Sequence, residues 1–522
     1  MAVLPATNSI PRLVIGAAQG RSGKTTVSLG LCAALSARGL AVQPFKKGPD
    51  YIDPSWLSEA AGRSCRSLDP FFHHESGALV DAFVSGSAGA DIALVEGNHG
   101  LYDSLAEDGS GSTAALARQL DAPILLVINA ARMGRSAAAM VHGYLTFEPG
   151  TPIAGVILNN VARGRHECKM RQAIEQHCGV PVLGALPRDE RLAIPDRHLG
   201  LVPRSEQQLR SAHDGLLPAI DACRQAVERH LDVSAILRIA QQDRALPRPL
   251  FQSTIPNPQP LIPSPRSPVL IAIFRDAAFT FYYPENLAAL EAAGAELVYV
   301  DALWNSKLPH ADALVIGGGF PEMFMAELSA NEAMRRVVRE AATAGLPIYA
   351  ECGGLMYLSR RIIWGEQSAE MVGVLPCDVE MTGRPQGHGY VEAVVDGDNP
   401  FFPVGSALRG HEFHNSRLVH VGEGMRTAYR LTRGNGMGAG LESGHSGRDG
   451  GRDGGRDGLT LANVLASYTH LHAAGAPGWA AGLVARARQY SSRRGAPAPG
   501  PESASRRGAP ACAPDQVPGE GR

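Results

Sequence analysis

The order of apolar and polar positions divides the chain into two alternating series. Between residues 12 and 203, RLVIGAA (12–18), AVQPF (41–45), DIALVEG (91–97), PILLVIN (123–129), PIAGVILNN (152–160) and PVLGALP (181–187) are short aliphatic runs without polar alternation. Such runs predict strands buried on both faces, as in a parallel sheet. Amphipathic stretches lie between them, among them KTTVSLGLCAALSARG (24–39) and HECKMRQAIEQHCG (166–179), each closing on a glycine suited to a helix C-cap. This βαβ rhythm predicts a doubly wound sheet with right-handed crossovers. A second series, PVLIAIF (268–274), ENLAALEAAG (285–294), ELVYV (296–300), DALVIGG (312–318) and PIYAEC (347–352), closes near LANVLASYTHLH (461–472).

The stretch between the two series, residues 245–268, carries eight prolines and predicts an extended linker. The expected division is therefore one domain over 10–240 and a second over 269–480, at the low end of what about 150 residues per domain allows for 522 residues. GRDGGRDGGRDG (447–458) repeats a tetrapeptide with cancelling charges, so residues 444–458 are expected to be a solvent-exposed insertion. Residues 491–522 hold almost no large apolar side chain and are expected to be a disordered tail. Fifty-nine glycines and 37 prolines, about 18% of the chain against a typical ~12%, are thus shared between turns at functional loops, the linker, the repeat and the tail.

Charge changes the picture by exclusion. Lys and Arg (49) balance Asp and Glu (51), which removes the electrostatic argument for a nucleic-acid or membrane-surface partner. The N-terminal segment lacks a basic region followed by an apolar one, and no apolar run approaches the ~18 residues of a membrane span. Eight cysteines without CxxC pairs fit reduced thiols rather than a zinc site or disulfide framework. A soluble, cytoplasmic protein is expected.

GAAQGRSGKTT (16–26) leaves the first strand and opens the first helix. Ala18 stands where a P-loop has its first glycine, while Gly23, Lys24 and Thr25 match. Loop amides from Gly20 through Ser22 to Thr25 would cradle phosphates, Lys24 would reach the β/γ oxygens and Thr25 would hold Mg²⁺. Carboxylates for that metal should lie beyond the carboxyl ends of strands. Glu96 ends DIALVEG, and Asp50 and Asp53 follow AVQPF in KKGPDYIDP. A turn acid capping a helix is the plain alternative for each, most of all for Asp53 before Pro54. Arg197 and His198 follow a further strand–loop unit and by themselves decide little.

In the second series, PIYAECGGLMYL (347–358) reads as strand, tight turn and apolar helix with Cys352 at the apex. A thiol near a helix N-terminus is expected to have a lowered pKa. The amide of Gly353 can face a developing oxyanion, and the glycine-rich strand end DALVIGGGFPE offers Gly319 and Phe320 to complete the hole. SYTHLH (467–472) supplies a base, His470, with His472 either orienting it or idle. GHEFHNSRL (410–418) puts Glu412 and His414 on one strand face without a third metal ligand, and is expected to serve substrate or scaffold.

KGPDYIDP, EGNHGLYD, RHLGLVP, GGGFPE, AECGGLMYL, GHEFHNS and SYTHLH, in this order over residues 12–475, resemble the cobyrinate/hydrogenobyrinate a,c-diamide synthase family of cobalamin biosynthesis. The resemblance implies a P-loop NTPase-like, dethiobiotin-synthetase-like parallel sheet followed by a flavodoxin-like class I glutamine amidotransferase domain. It implies ATP-dependent amidation of corrinoid a- and c-carboxylates with ammonia from glutamine, Cys352 as nucleophile and His470 as its base. ATP, Mg²⁺ and corrinoid are implied near Gly20–Thr25, Asp50, Tyr51, Asp53, Glu96, Arg197 and His198, and a homodimer stays open. Cobyric acid synthase is the nearest rival, but relatives there read more like GICGG at the elbow. Nickel-sirohydrochlorin a,c-diamide synthase, whose substrate is a related tetrapyrrole, stays open as a further alternative, and a non-enzymatic P-loop switch is the most distant reading. Asn98 and His99 replace apolar residues usual in relatives, and His472 stands where many class I amidotransferases carry Glu, which implies a Cys–His dyad.

Overall fold

The computed structural model describes residues 10–162, 164–192, 194, 196–197, 200–201, 216–242, 268–437 and 455–495. The first half is an all-parallel seven-stranded sheet. Its elements are β1 (Arg12–Ala17), α1 (Lys24–Ala37), β2 (Val42–Lys46), α2 (Ile52–Ala61), β3 (Arg66–Ser67), β4 (Ile92–Glu96), β5 (Ile124–Asn129), β6 (Ile153–Val161) and β7 (Val182–Pro187). The spatial order is β3-β2-β4-β1-β5-β6-β7. Every residue of β1, β2 and β4 is buried, as unbroken aliphatic runs require. β3 is two residues long, too short to leave a periodic signal. Helix Leu216–His230 lies against α1, where Gly30 lets the two backbones approach at Cys223 and Val227.

The second half departs from a pure flavodoxin-like sheet. Five strands are parallel, in the order Ala295–Val300, Val269–Phe274, Ala313–Ile316, Ile348–Glu351 and Val464–Ser467. The same sheet continues antiparallel through Arg456–Leu461, Arg426–Arg433, Gly387–Val395 and Ala407–His414 to His470–Leu471. Val464–Ser467 and His470–Leu471 are therefore five places apart in the sheet but two residues apart in the chain. The antiparallel part must curl back on itself, as a barrel does, and this curl delivers His470 beside the parallel strand ends. The half-buried alternation of Gly387–Val395 is the signal for these strands, which apolar runs alone do not reveal.

Two boundaries need correction. The third GRD unit is not part of a solvent-exposed insertion, because Arg456, Asp457 and Gly458 begin a core strand. Arg456 pairs with Asp396 at 2.6 and 2.9 Å. Asp457 is fully buried and accepts from Tyr468 N, Thr469 N and Thr469 Oγ1 at 3.0, 2.8 and 2.6 Å. Gly458 N is a fourth donor to the same carboxylate at 2.8 Å, so this unit is built into the core. Residues 491–495 likewise continue the helix Trp479–Gly495 rather than opening the tail. The remaining repeat units, the rest of the tail, and all of the linker but Pro268 lie outside the described residues. Among those described, no helix is long and apolar enough to cross a membrane.

The halves meet through a polar and aromatic seam. Tyr390 Oη donates to Asp69 at 2.5 Å, Glu285 accepts from Ser67 N at 3.2 Å, and Phe281 packs into the core of the first half.

Asp457→Ala would strand three donors in the turn ahead of His470, a loss of about 2–4 kcal/mol. The expected result is a fall of several degrees in the thermal midpoint by scanning calorimetry. A wild-type midpoint would refute this role for Asp457.

Candidate active site

The loop between β1 and α1 has the shape its glycines predict. Gly23 has φ +96°, and a Cβ there would stand 2.0 Å from Asn159 Nδ2. That amide donates to Ser22 O at 2.9 Å and pins the loop from the end of β6. Asn159 was missed in the sequence, although a polar residue closing a buried strand is a usable signal. Ser22 Oγ is buried without a hydrogen-bond partner. Lys24 Nζ donates to His99 O at 2.6 Å, so the unusual His99, at φ +49°, contributes its backbone rather than its ring. Burial lowers the Lys24 pKa to about 8. Thr25 Oγ1 donates to Glu96 Oε1 at 2.9 Å, joining loop and strand-end acid as expected.

A lysine at the end of β2 organises the acids. Lys46 Nζ lies 2.5 Å from Asp53 Oδ2, 2.9 Å from Glu96 Oε1 and 3.8 Å from Asp50 Oδ2. Burial opposes its charge, but the three carboxylates raise its pKa well above the ordinary value. Lys46 in turn outweighs burial at Asp53 and holds that carboxyl low, whereas burial raises Glu96. Asp50 is placed differently from the sequence expectation. Its Oδ1 accepts from Ile52 N and Asp53 N at 2.8 and 3.2 Å, so it caps the start of α2. Burial and the nearby Asp53 raise its pKa to about 7. Asp53 and Glu96 thus share the Lys46 ammonium, Glu96 alone of the three acids bonds Thr25, and Asp50 keeps its second oxygen 3.8 Å from Lys46.

The donor set fits one hard cation shared with phosphate. Glu96 Oε2 is buried without a hydrogen-bond partner, next to the Thr25 hydroxyl. Among the described residues no three His, Cys, Asp or Glu side chains form a closed metal cage. Mg²⁺ characteristically takes one or two protein oxygens and completes its shell from phosphate and water.

Cys352 sits at the turn after strand Ile348–Glu351, at φ +47° and ψ −98°. This strained conformation holds an elbow, anchored by Cys352 N donating to Ser467 O at 2.7 Å. The expected lowering of the thiol pKa is overturned. The side chain is 4% exposed within an apolar cluster. Burial and the Glu322 carboxylate push the thiol well up, against the opposing Gly353 amide. Proton removal thus falls to a base. His470 is 1% exposed, and its ring needs Gly318, where a Cβ would stand 2.3 Å from His470 Cε1.

Of the three residues expected to form an oxyanion hole, two lie close together. Gly319 N lies 3.0 Å from the position a Gly353 Cβ would take, which brings the two glycine backbones together. The Phe320 amide instead donates to Ala278 O at 3.1 Å, and its ring packs on Phe281. Glu412 and His414 act as scaffold. Glu412 accepts from Asn435 N and Gly436 N, both at 2.7 Å, and His414 stacks on Tyr468 at 3.8 Å. His472 turns away from the thiol, stacking on Phe72 at 5.0 Å with Nε2 3.8 Å from Glu285. His198 and the Arg197 side chain lie outside the described residues.

Tyr51 joins the two centres. It follows Asp50 and precedes Asp53 by two residues, and its ring stacks on Phe281 at 4.9 Å and lies 5.4 Å from His470. A cavity of about 1560 Å³ opens between the halves, lined by Lys47, Asp53, Asp103, His388, Arg409 and Arg433 among others.

A Lys24 amine with a pKa near 8 sets a sign for nucleotide binding. Above that pH the free protein loses the ammonium, so ATP affinity should fall and binding should take up a proton. Calorimetric titrations from pH 7 to 9, in buffers of differing ionisation enthalpy, should show both. Affinity and heat independent of pH would remove Lys24 from the phosphates. Gly23→Ala, which meets Asn159, should weaken ATP binding at every pH.

Residues 13–202 match the family described as the CobQ/CobB/MinD/ParA nucleotide binding domain, and residues 270–477 match the CobB/CobQ-like glutamine amidotransferase domain. A cobyrinate a,c-diamide synthase of Magnetococcus marinus is 45% identical over 90% of this chain and 96% of its own length. One of Methanosarcina acetivorans is 42% identical over 93% of this chain and 97% of its own. A hydrogenobyrinate a,c-diamide synthase of Streptomyces coelicolor is 40% identical over 92% and 98%. With an ATP-type phosphate loop and a cysteine elbow in one chain and relatives matched nearly end to end, this chain belongs to the cobyrinate/hydrogenobyrinate a,c-diamide synthase family.

Proposed function

We propose that this protein amidates the a- and c-side-chain carboxylates of cobyrinate or hydrogenobyrinate, using ATP and glutamine. The observation that supports it most is Tyr51, which belongs to the acid-bearing turn of the phosphate site and packs 5.4 Å from the ring of His470, the base assigned to Cys352. One side chain separates the two half-reactions.

At the thiol, His470 takes the Cys352 proton as sulfur attacks the glutamine amide carbon. The Gly319 and Gly353 amides receive the oxyanion. Collapse breaks the C–N bond, His470 returns the proton, and ammonia leaves a γ-glutamyl thioester. Water then cleaves the thioester to glutamate and restores the thiol. At the phosphate site a corrinoid carboxylate oxygen attacks the γ-phosphorus of ATP and releases ADP. Ammonia attacks the acyl phosphate carbon, and inorganic phosphate departs with the C–O bond. Gly20–Thr25 hold the triphosphate, Lys24 leaves the His99 carbonyl for its oxygens, and Lys46 favours the ionised form of Asp53 and opposes the effect of burial at Glu96. Thr25 and Glu96, with Asp53 beside them, would hold Mg²⁺, which supplies charge neutralisation at the phosphates.

The cleft suits a polycarboxylate macrocycle in size and in its mixed charge. Lys47 from the first half and Arg409 and Arg433 from the second line the cleft and are suited to the carboxylates that are not amidated. Asp50, Tyr51 and Asp53 stand at the end of the cleft where the reacting carboxylate meets ATP.

Cys352→Ala should abolish glutamine-dependent amidation while amidation with ammonium chloride persists. Loss of both would overturn the two-centre reading. Mass spectrometry of products from cobyrinate, hydrogenobyrinate and nickel-sirohydrochlorin offered separately should show a gain of two amides on one of the first two. Diamidation of nickel-sirohydrochlorin alone would reassign the substrate.

A further inference from the structure

The residue that usually follows the base histidine as a carboxylate is His472 here, and it faces the domain seam. The base is nevertheless beside a carboxylate. Glu351, the residue before the nucleophile, is 5% exposed, and its Oε2 lies 3.5 Å from His470 Nδ1. We propose that Glu351 is the positioning residue for His470, so that a Cys–His–Glu triad is assembled with its acid taken from the strand ahead of the cysteine. The inference rests on His470 being the base of Cys352.

Three observations carry it. Glu351 is clamped by its other oxygen, where Oε1 accepts from Tyr349 Oη at 2.7 Å and from Leu471 N at 3.0 Å. Those bonds satisfy one lone-pair side and leave Oε2 directed at the imidazole. Next, His470 Nδ1 is buried without a hydrogen-bond partner, a costly state for a ring nitrogen unless a partner is within reach. A separation of 3.5 Å is long for a hydrogen bond, but catalytic pairs commonly tighten only when substrate is bound. Finally, the register makes the pairing unavoidable. Glu351 pairs with Ser467 across the parallel strands, and the chain reaches His470 three residues later, with Leu471 N already bonded to Glu351.

The role follows from the triad logic. A carboxylate at Nδ1 fixes the tautomer that leaves Nε2 free to accept the thiol proton, and it stabilises the imidazolium that forms. Few other charges can substitute. The rings packed on it are His411, stacked at 5.0 Å, Tyr51 at 5.4 Å and Phe281 at 6.2 Å. Burial keeps His411 neutral, lowering its pKa well below the ordinary value.

Glu351→Gln keeps an acceptor for Leu471 N and removes the charge, which separates positioning from folding. The rate with glutamine is expected to fall roughly 10²-fold or more relative to the rate with ammonium chloride. The KM for glutamine should stay within about threefold. The acid limb of kcat/KM for glutamine hydrolysis should move to lower pH, because His470 loses the carboxylate that favours its protonated form. Glu351→Asp should recover part of the lost rate. A Glu351→Gln protein whose glutamine rate stays within threefold, or whose glutamine and ammonium rates fall together, overturns the proposal. His470→Ala, run alongside, isolates the underlying reading. Full glutamine use in that variant overturns the base assignment and Glu351 with it, whereas its loss beside an active Glu351→Gln overturns Glu351 alone.

Discussion

The packing of Tyr51 between Phe281 and His470 is the contact on which the architecture depends. An acyl phosphate hydrolyses in water, and ammonia is lost to it by protonation, so the two must meet where water is excluded. Neither sheet can do this alone. The parallel sheet of the first half puts its phosphate loop and acids at the carboxyl edge, and the second half puts its thiol at the carboxyl edge of its own parallel strands. The two edges face each other, and an aromatic residue fills the seam. Tyr51 can serve because Asp50 caps α2 immediately after it, fixing the backbone that carries both the aromatic ring and Asp53.

Much of this was legible from residue order. The aliphatic runs gave six of the seven strands of the first sheet, because a strand buried on both faces has no freedom to be polar. The phosphate loop and the cysteine elbow announce themselves since each needs small residues at fixed offsets from a strand end. What sequence could not show is what arises from register and curl. Lys46 lies in plain sight in KKGPDYIDP, but only the closeness of β2 and β4 brings it between Asp53 and Glu96. Asp457 is indistinguishable by composition from the aspartates of the two preceding repeat units. Only the fold shows that its carboxylate accepts from the Tyr468 and Thr469 amides. The thiol pKa was misjudged for a related reason: the helix after Cys352 is six residues long, and burial within the apolar cluster outweighs what its amides supply.

The distribution of unmet polar groups gives the last step. Buried polar atoms in a folded protein are nearly always hydrogen-bonded, and an exception calls for a reason. Here several exceptions gather at the proposed chemistry. They include Ser22 Oγ and Glu96 Oε2 at the phosphate loop, Nε2 of His470, and Nδ1 of His411 stacked on it. Each is held by neighbours that are themselves satisfied: Ser22 by Asn159, Glu96 by Lys46 and Thr25, His470 by the strand that Asp457 and Glu351 brace. Such a frame cannot relax to pair these atoms internally without breaking better bonds. They are therefore available to phosphate oxygens, a cation and glutamine with little reorganisation, which is how a preorganised site lowers a barrier. The near-neutral net charge is consistent with the same principle, since the charges that matter are buried and locally paired rather than spread over the surface.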